Sequence, residues 1–287
     1  MDIKKFVEEA GPLGALGIIV TQNGEELAKY TWDEECRRNI YSASKSFTSC
    51  AVGMAVKEGL LSLDEKLTDV FEKELPDTVG ENLEKAEVRD LLAMHLGQSK
   101  AALMGAQRPL YKEEDWVKMV LAMPFDQAPG THFVYNNVGP YLAGILVQRR
   151  AGCNLVDYLM PRLFKPLGIW RPTWETDPLG YTFGAGGLML TLSELHKFGL
   201  LYLNEGMWNG KRLVSEDWIR ESTKQQYDAP YAYLFWRGQY GSFRADGKYG
   251  QYSIVFPDKN AVVTMTAQSF DAKPLRHLIY NEIYPQL

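Results

Sequence analysis

Apolar and polar residues near the start of the chain follow a pattern that predicts antiparallel strands. An apolar run at 15–20 and a mixed segment at 26–30 flank Asn23 and Gly24, and an Asn-Gly pair between two strand-like segments is a strong signal for a two-residue hairpin turn. A short amphipathic helix is predicted before them, at 2–10. Strand-like runs return near the other end of the chain, at 231–236, 240–245, 251–256 and 261–266.

Helical spacing of apolar residues dominates the rest of the chain. It begins directly after Tyr41 and Ser42 and predicts a largely buried helix over 43–58, with Ser42 at its N-terminal edge. Further helices are predicted at 88–96, 113–123, 138–151, 155–163, 193–203, 215–224 and 273–283. This order predicts an α+β fold: one antiparallel sheet, built from both chain ends and flanked by helices, with an inserted helical region. We expect a sheet domain of residues 1–75 and 185–287 and a helical domain of residues 76–184.

Composition narrows the class of protein. The 287 residues are 46% hydrophobic and carry 31 Lys and Arg against 36 Asp and Glu, and the basic residues are scattered rather than clustered along one face. We therefore expect no nucleic-acid partner. No apolar run reaches the roughly 18 to 20 residues that cross a bilayer, and the chain starts as an amphipathic helix rather than an apolar signal core. A cytoplasmic protein without a membrane partner is expected.

The cysteine and histidine residues give no sign of a metal or disulfide framework. Cys36, Cys50 and Cys153 are far apart and form no C-x-x-C motif, and none of the four histidines has the spacing of a metal-binding motif. We expect neither a metal nor another cofactor.

Ser42 and Lys45 are the first candidates for chemistry. Three residues along a helix bring the serine hydroxyl and the lysine ammonium onto one face. Burial favours the neutral form of a lysine, which could then accept the serine proton. A helix-capping serine beside a surface lysine is the alternative for this short motif, and the buried helix that follows favours the catalytic interpretation.

Two further segments could complete such a site. Tyr135 and Asn137 lie between a Pro-Gly turn and a predicted helix, where a phenol could relay protons; a packed tyrosine and a helix cap would have the same pattern. The segment 243–251 is rich in glycine and joins two predicted strands. Its strand edge could offer a free N–H to an oxyanion, although a plain hairpin would have the same pattern.

These three segments, in this order, resemble the serine β-lactamase and penicillin-binding-protein superfamily, in particular its branch of class C β-lactamases, D-stereospecific peptidases and related esterases. That family has S-x-x-K, then Y-x-N, then K-T-G or H-x-G. Similar connecting stretches occur at 59–67, 88–97, 164–169 and 186–189. The resemblance covers almost the whole chain and implies a β-lactamase/transpeptidase-like fold.

The resemblance implies acyl transfer, with Ser42 as nucleophile, Lys45 and Tyr135 sharing proton transfer, and Asn137 holding Lys45 or a substrate amide. The oxyanion would be held by the N–H groups of Ser42 and of the residue after Gly247. We expect a small ester, amide or β-lactam as substrate; a β-lactamase or D-amino-acid peptidase is one alternative, and a binding or sensor module without turnover is another.

The third motif departs from the family pattern. Ala245, Asp246 and Gly247 stand where the family has K-T-G, and 248–250 is the other possible register. We assign all three residues and Lys248 to substrate binding. In the family, the lysine of K-T-G helps to bind the carboxylate of a β-lactam, so Ala245 predicts a preference for neutral esters or amides unless Arg244 or Lys248 supplies the charge.

Overall fold

The central feature of the computed structural model, which describes all residues from Met1 to Leu287, is a six-stranded antiparallel sheet. The strands of the protein are β1 (Ala15–Gln22), β2 (Glu25–Thr31), β3 (Arg38–Asn39), β4 (Met189–Leu190), β5 (Met207–Trp208), β6 (Lys211–Arg212), β7 (Trp236–Arg237), β8 (Phe243–Gly247), β9 (Gln251–Phe256) and β10 (Ala261–Ala267). The sheet has the order β2-β1-β10-β9-β8-β7, and β3 pairs with β4 and β5 with β6 in two small ribbons.

The two chain ends meet in the middle of this sheet. Strand β1 pairs with β10, with Ile18 opposite Met265. The hairpin between β1 and β2 turns at Asn23 and Gly24, whose φ angles of 52° and 82° lie in the left-handed region that this turn requires. The predicted α+β fold, with an antiparallel sheet drawn from both ends of the chain, is confirmed.

Helices cover both faces of the sheet. They are α1 (Lys4–Ala10), α2 (Ser44–Lys57), α3 (Leu67–Val70), α4 (Glu81–Lys85), α5 (Val88–Ala93), α6 (Trp116–Leu121), α7 (Val138–Ala151), α8 (Leu155–Leu159), α9 (Leu192–Leu203), α10 (Glu216–Thr223) and α11 (Lys273–Leu278). One core, with Phe6 and Leu275, packs α1 and α11 against one face. The larger core, with Phe47 and Leu142, lies on the other face and joins α2, α7 and α9. Because this core includes residues of both predicted domains, the domain boundaries stay a prediction.

Several predicted elements are shorter in the structure because the backbone turns. The predicted strand at 231–236 is wrong except for its last residue, since Leu234 has a φ of 65° and only Trp236–Arg237 pairs with β8. Tyr240, with a φ of 56°, likewise delays β8 until Phe243. The predicted helix at 88–96 ends at Ala93 because Met94 has a φ of 61°.

The helix predicted at 138–151 has these ends in the structure, and the other predicted helices lie where expected with ends that differ. The helices predicted at 155–163 and 273–283 each continue as a five-residue π-helix, at Met160–Phe164 and Ile279–Ile283. No helix in the structure has both the length and the apolar character needed to cross a membrane.

Candidate active site

The polypeptide makes a tight turn directly before α2, and Ser42 lies in it. A 3₁₀ turn spans Tyr41–Ala43, where the sequence predicted the start of the α-helix. Tyr41 has a φ of 48°, which is rare for a bulky residue. The turn is fixed on both sides, because the Tyr41 N–H donates to Asn39 Oδ1 at 2.7 Å and Ser44 Oγ donates to the Tyr41 carbonyl at 2.6 Å.

The Lys45 side chain lies beneath this turn and is 1% exposed. Its ammonium donates to Ser42 Oγ at 2.9 Å and to Asn137 Oδ1 at 2.7 Å. It also donates to the carbonyl oxygen of Ala185 at 2.7 Å. All three acceptors are neutral, so this buried cation has no carboxylate within hydrogen-bond distance.

The surroundings of Lys45 favour its neutral form. Burial is the main cause and the positive charge of Arg108 is the second, and together they lower the pKa of Lys45 to about 7, against a weaker opposite effect of Asp246. A large fraction of Lys45 is therefore an uncharged amine near neutral pH, able to accept a proton from Ser42.

Tyr135 lies next to Lys45. Its ring centroid is 5.1 Å from Lys45 Nζ, and the ring packs against Tyr231 and Trp236 at centroid distances of 6.0 and 5.4 Å. Burial raises the pKa of the Tyr135 phenol, and the neighbouring Ser42 hydroxyl acts weakly in the opposite direction. The phenol is therefore protonated and can donate a hydrogen bond into the site.

Asn137 is held in one orientation at the N-terminus of α7. Its amide nitrogen donates to the Leu103 carbonyl at 2.8 Å, which directs Oδ1 towards Lys45. The carbonyls of Leu103 and Ala185 were not predicted, because a backbone acceptor leaves no residue-type signal. The Gly186-Gly187 pair that follows Ala185 was the nearest signal in the sequence.

Strand β8 runs past the Ser42 turn and brings the third predicted segment to the site. A Cβ atom at Gly247 would clash with the carbonyl oxygen of Ile40 and lie 3.2 Å from the nitrogen of Ala43. Only glycine allows this approach. Ala245, two residues earlier on the same side of the strand, is 2% exposed. The N–H of Lys248, just after the strand, makes no hydrogen bond within the protein.

Two charged residues of this segment pair with each other, and the third is exposed. Arg244 Nε donates to Asp246 Oδ2 at 2.7 Å, and Arg276 in α11 approaches the same oxygen at 3.6 Å. Lys248 is exposed, with Nζ 4.7 Å from the centroid of the Tyr249 ring. Arg244 is paired with Asp246 and Lys248 is exposed. A substrate-binding role for Ala245, Asp246, Gly247 and Lys248 stays a prediction.

A sequence model of the family described as Beta-lactamase matches residues 3–283. The chain belongs to the beta-lactamase family. This membership confirms the resemblance inferred from the sequence, and it supports hydrolase activity of the kind found in beta-lactamase-family proteins. No group of three or more His, Cys, Asp or Glu side chains in this beta-lactamase-family chain is placed to hold a metal ion.

Three relatives show how far this beta-lactamase-family chain has diverged. It is 23% identical over 221 residues to 6-aminohexanoate-dimer hydrolase of Paenarthrobacter ureafaciens, a match that covers 70% of this chain and 55% of that protein. It superposes with a TM-score of 0.78 on the octameric penicillin-binding protein homologue of Pyrococcus abyssi, with 20% identity over 99% of this chain and 78% of that one. A penicillin-binding protein of Bacillus halodurans gives a TM-score of 0.75, with 17% identity over 97% and 99% of the two chains. At these identities the structures establish the fold alone.

Proposed function

We propose that this protein is a serine hydrolase that acts through an acyl-enzyme on small amides or esters. The observation that carries the proposal is the 2.9 Å hydrogen bond between Lys45 Nζ and Ser42 Oγ. It joins a partly exposed hydroxyl to a buried amine whose three acceptors are all neutral. A serine needs an adjacent base to act as a nucleophile, and this amine is in position to be one.

In the proposed acylation, Ser42 Oγ attacks the substrate carbonyl carbon while neutral Lys45 takes the hydroxyl proton. The N–H groups of Ser42 and Lys248 hold the resulting oxyanion. Tyr135 donates a proton to the leaving amine or alcohol and is reprotonated from Lys45. The carbon–leaving group bond breaks and leaves an ester on Ser42, which water then hydrolyses with the same groups acting in reverse.

The relatives support amides as well as esters. The dimer of 6-aminohexanoate is joined by an amide bond, and a hydrolase of that dimer is 23% identical to this chain over 221 residues. Ala245 favours substrates that place no carboxylate at the β8 strand. Such a carboxylate would lack the cationic partner that the lysine of K-T-G provides in the family. A charge-assisted hydrogen bond of this kind contributes about 1.5 to 3 kcal/mol, or roughly 10- to 100-fold in kcat/KM.

The test compares wild type, Ala245→Lys and Ala245→Met on a nitrophenyl butyrate, a linear amide and a chromogenic cephalosporin, with intact mass followed in parallel. We expect a transient acyl adduct, faster turnover of the ester and amide than of the cephalosporin, and a shift of about 10-fold towards the cephalosporin in Ala245→Lys. Ala245→Met is the matched control, because it adds similar volume without charge.

The other possible results would each contradict one part of the proposal. A wild type that prefers the cephalosporin would establish a β-lactamase. A stable adduct without turnover of any substrate would indicate a sensor module. An unchanged ratio in Ala245→Lys would mean that the charge is supplied elsewhere.

A further inference from the structure

Three aromatic side chains form a continuous row that begins beside Ser42. The Tyr41 and Tyr249 rings meet edge to face at a centroid distance of 5.1 Å, and the Tyr249 and Phe270 rings meet edge to face at 5.8 Å. The row ends at Phe270, which is 95% exposed. Apart from this edge contact with Tyr249, the large apolar side chain of Phe270 is open to solvent.

The backbone fixes this row to the two groups that would hold an oxyanion. Tyr41 directly precedes Ser42, and Tyr249 directly follows Lys248. Both tyrosines have left-handed φ angles, 48° and 68°, which are outliers for bulky residues and are found most often at functional sites. The Ser269 N–H donates to the Tyr249 carbonyl at 3.1 Å and ties the loop that carries Phe270 to the same turn.

The row lies at the opposite end of β8 from Tyr135. The Tyr135 ring contacts Trp236, which pairs with Arg244 near the start of the strand. Tyr249 follows the end of the strand, after Gly247. A proton donated by Tyr135 must reach the leaving group, so the leaving group lies towards the start of β8. The substituent that remains on the carbonyl carbon then extends towards the aromatic row.

We propose that Tyr41, Tyr249 and Phe270 form the subsite for the acyl group of the substrate and select acids with an apolar chain or ring. This inference rests on the proposed acyl transfer at Ser42. The occupant is apolar because the row offers ring faces and edges. Lys248 Nζ lies 4.7 Å from the centroid of the Tyr249 ring.

The experiment measures kcat/KM for nitrophenyl acetate, butyrate and hexanoate with wild type, Phe270→Ala and Tyr249→Gly. Glycine at 249 removes the ring and accepts the left-handed backbone, and alanine at 270 changes a side chain that is 95% exposed. We expect the hexanoate-to-acetate ratio to fall by about 3- to 10-fold in each variant, as for the loss of one or two partly buried methylene contacts. Trp170→Ala is the control, because Trp170 is 86% exposed and makes no ring contact with the row.

A second series keeps the acetyl group and varies the alcohol. We expect its profile to be the same in wild type and variants. A hexanoate-to-acetate ratio that stays unchanged in both variants would overturn the subsite, while ester turnover by wild type would leave the serine hydrolase standing. If the variants instead change the dependence of kcat/KM on the alcohol, the assignment of the row to the acyl group is wrong. A wild type that turns over neither these esters nor a linear amide would refute the proposed function itself, and the inference with it.

Discussion

Lys45 and His196 are both buried bases that are hydrogen-bonded to side-chain hydroxyl groups. Lys45 Nζ lies 2.9 Å from Ser42 Oγ, and the two ring nitrogens of His196 each lie 2.8 Å from a threonine hydroxyl, of Thr21 and of Thr264. A search for a base beside a hydroxyl would select both. They differ in what surrounds the pair.

The threonines that contact His196 are themselves buried, between α9 and the sheet, with Thr264 0% exposed. No substrate can reach either hydroxyl. Burial, with a smaller effect of Lys29, lowers the pKa of His196 to about 4, so the imidazole stays neutral through the physiological range. Ser42 is partly exposed, and the pKa of Lys45 is lowered only to about 7. Hydrogen bonding alone therefore does not mark a nucleophile; the hydroxyl must be accessible and its base must titrate near neutrality.

The largest expected effect is the loss of turnover when the Ser42 hydroxyl, and not the Thr264 hydroxyl, is removed. We expect Ser42→Ala to lose at least about 10³-fold in ester turnover and all labelling by a fluorophosphonate, because the nucleophile is gone. Thr264→Val removes the matched hydroxyl beside His196 and should keep wild-type turnover per folded molecule. Intact mass and peptide mapping measure the adduct. An adduct on Ser44 or Ser46, or one that persists in Ser42→Ala, would contradict the assignment.

The next effect concerns the proton-transfer pair. Lys45→Met and Tyr135→Phe should each slow acylation by about 10²-fold, because each removes one proton carrier and keeps most of the side-chain volume. The double variant should be little slower than the slower single variant, because either substitution alone already breaks the shared proton-transfer pathway. Burst kinetics measure acylation, and thermal unfolding checks the fold. Losses that simply multiply would show that the two residues act separately.

Much of this arrangement could be predicted from local sequence. The Asn23-Gly24 turn, the helix after Ser42 and the order of the three motifs depend on residue type and short spacing, and the fold class and the family followed from them. The proximity of Lys45 to Asn137, 92 residues apart, was expected from the resemblance and is seen as a 2.7 Å hydrogen bond.

The rest depends on contacts that leave no residue-type signal. The Ala185 carbonyl binds Lys45 through the backbone, so any residue there would serve. Arg108 lowers the pKa of Lys45 from a short 3₁₀ turn that has no motif of its own. The left-handed angle of Leu234 breaks a predicted strand, although leucine rarely adopts that conformation, and only the surrounding tertiary packing can impose it.

His196 should affect stability rather than activity. Its pKa is lower in the folded chain, about 4, than the ordinary value of 6.5, so the unfolded chain binds the additional proton between these pH values. Stability is therefore full above about pH 6.5 and falls as the pH approaches 4, by about 3 kcal/mol from this group. His196→Gln should lose correspondingly less between pH 7 and 4 in urea unfolding, with ester turnover at pH 7 unchanged. Equal acid sensitivity in both proteins would mean that His196 is not the group responsible.

The smallest expected effect is a shift of the pH profile, and it tests whether the charge of Arg108 lowers the pKa of Lys45. With wild type, acylation should rise about tenfold per pH unit below pH 7 and level off above it, because only the neutral amine accepts the Ser42 proton. Arg108 is the second cause of the lowered pKa of Lys45, so Arg108→Gln should move the midpoint of this profile to higher pH, by up to about one pH unit. Arg108 pairs with Glu175. The matched control is Arg150→Gln, which breaks the comparable pair with Glu65 but does not act on the pKa of Lys45. Raised salt should narrow the difference between wild type and Arg108→Gln. If the two arginine variants give the same profile as wild type, the charge of Arg108 does not lower the pKa of Lys45, and burial remains as the cause of the shift.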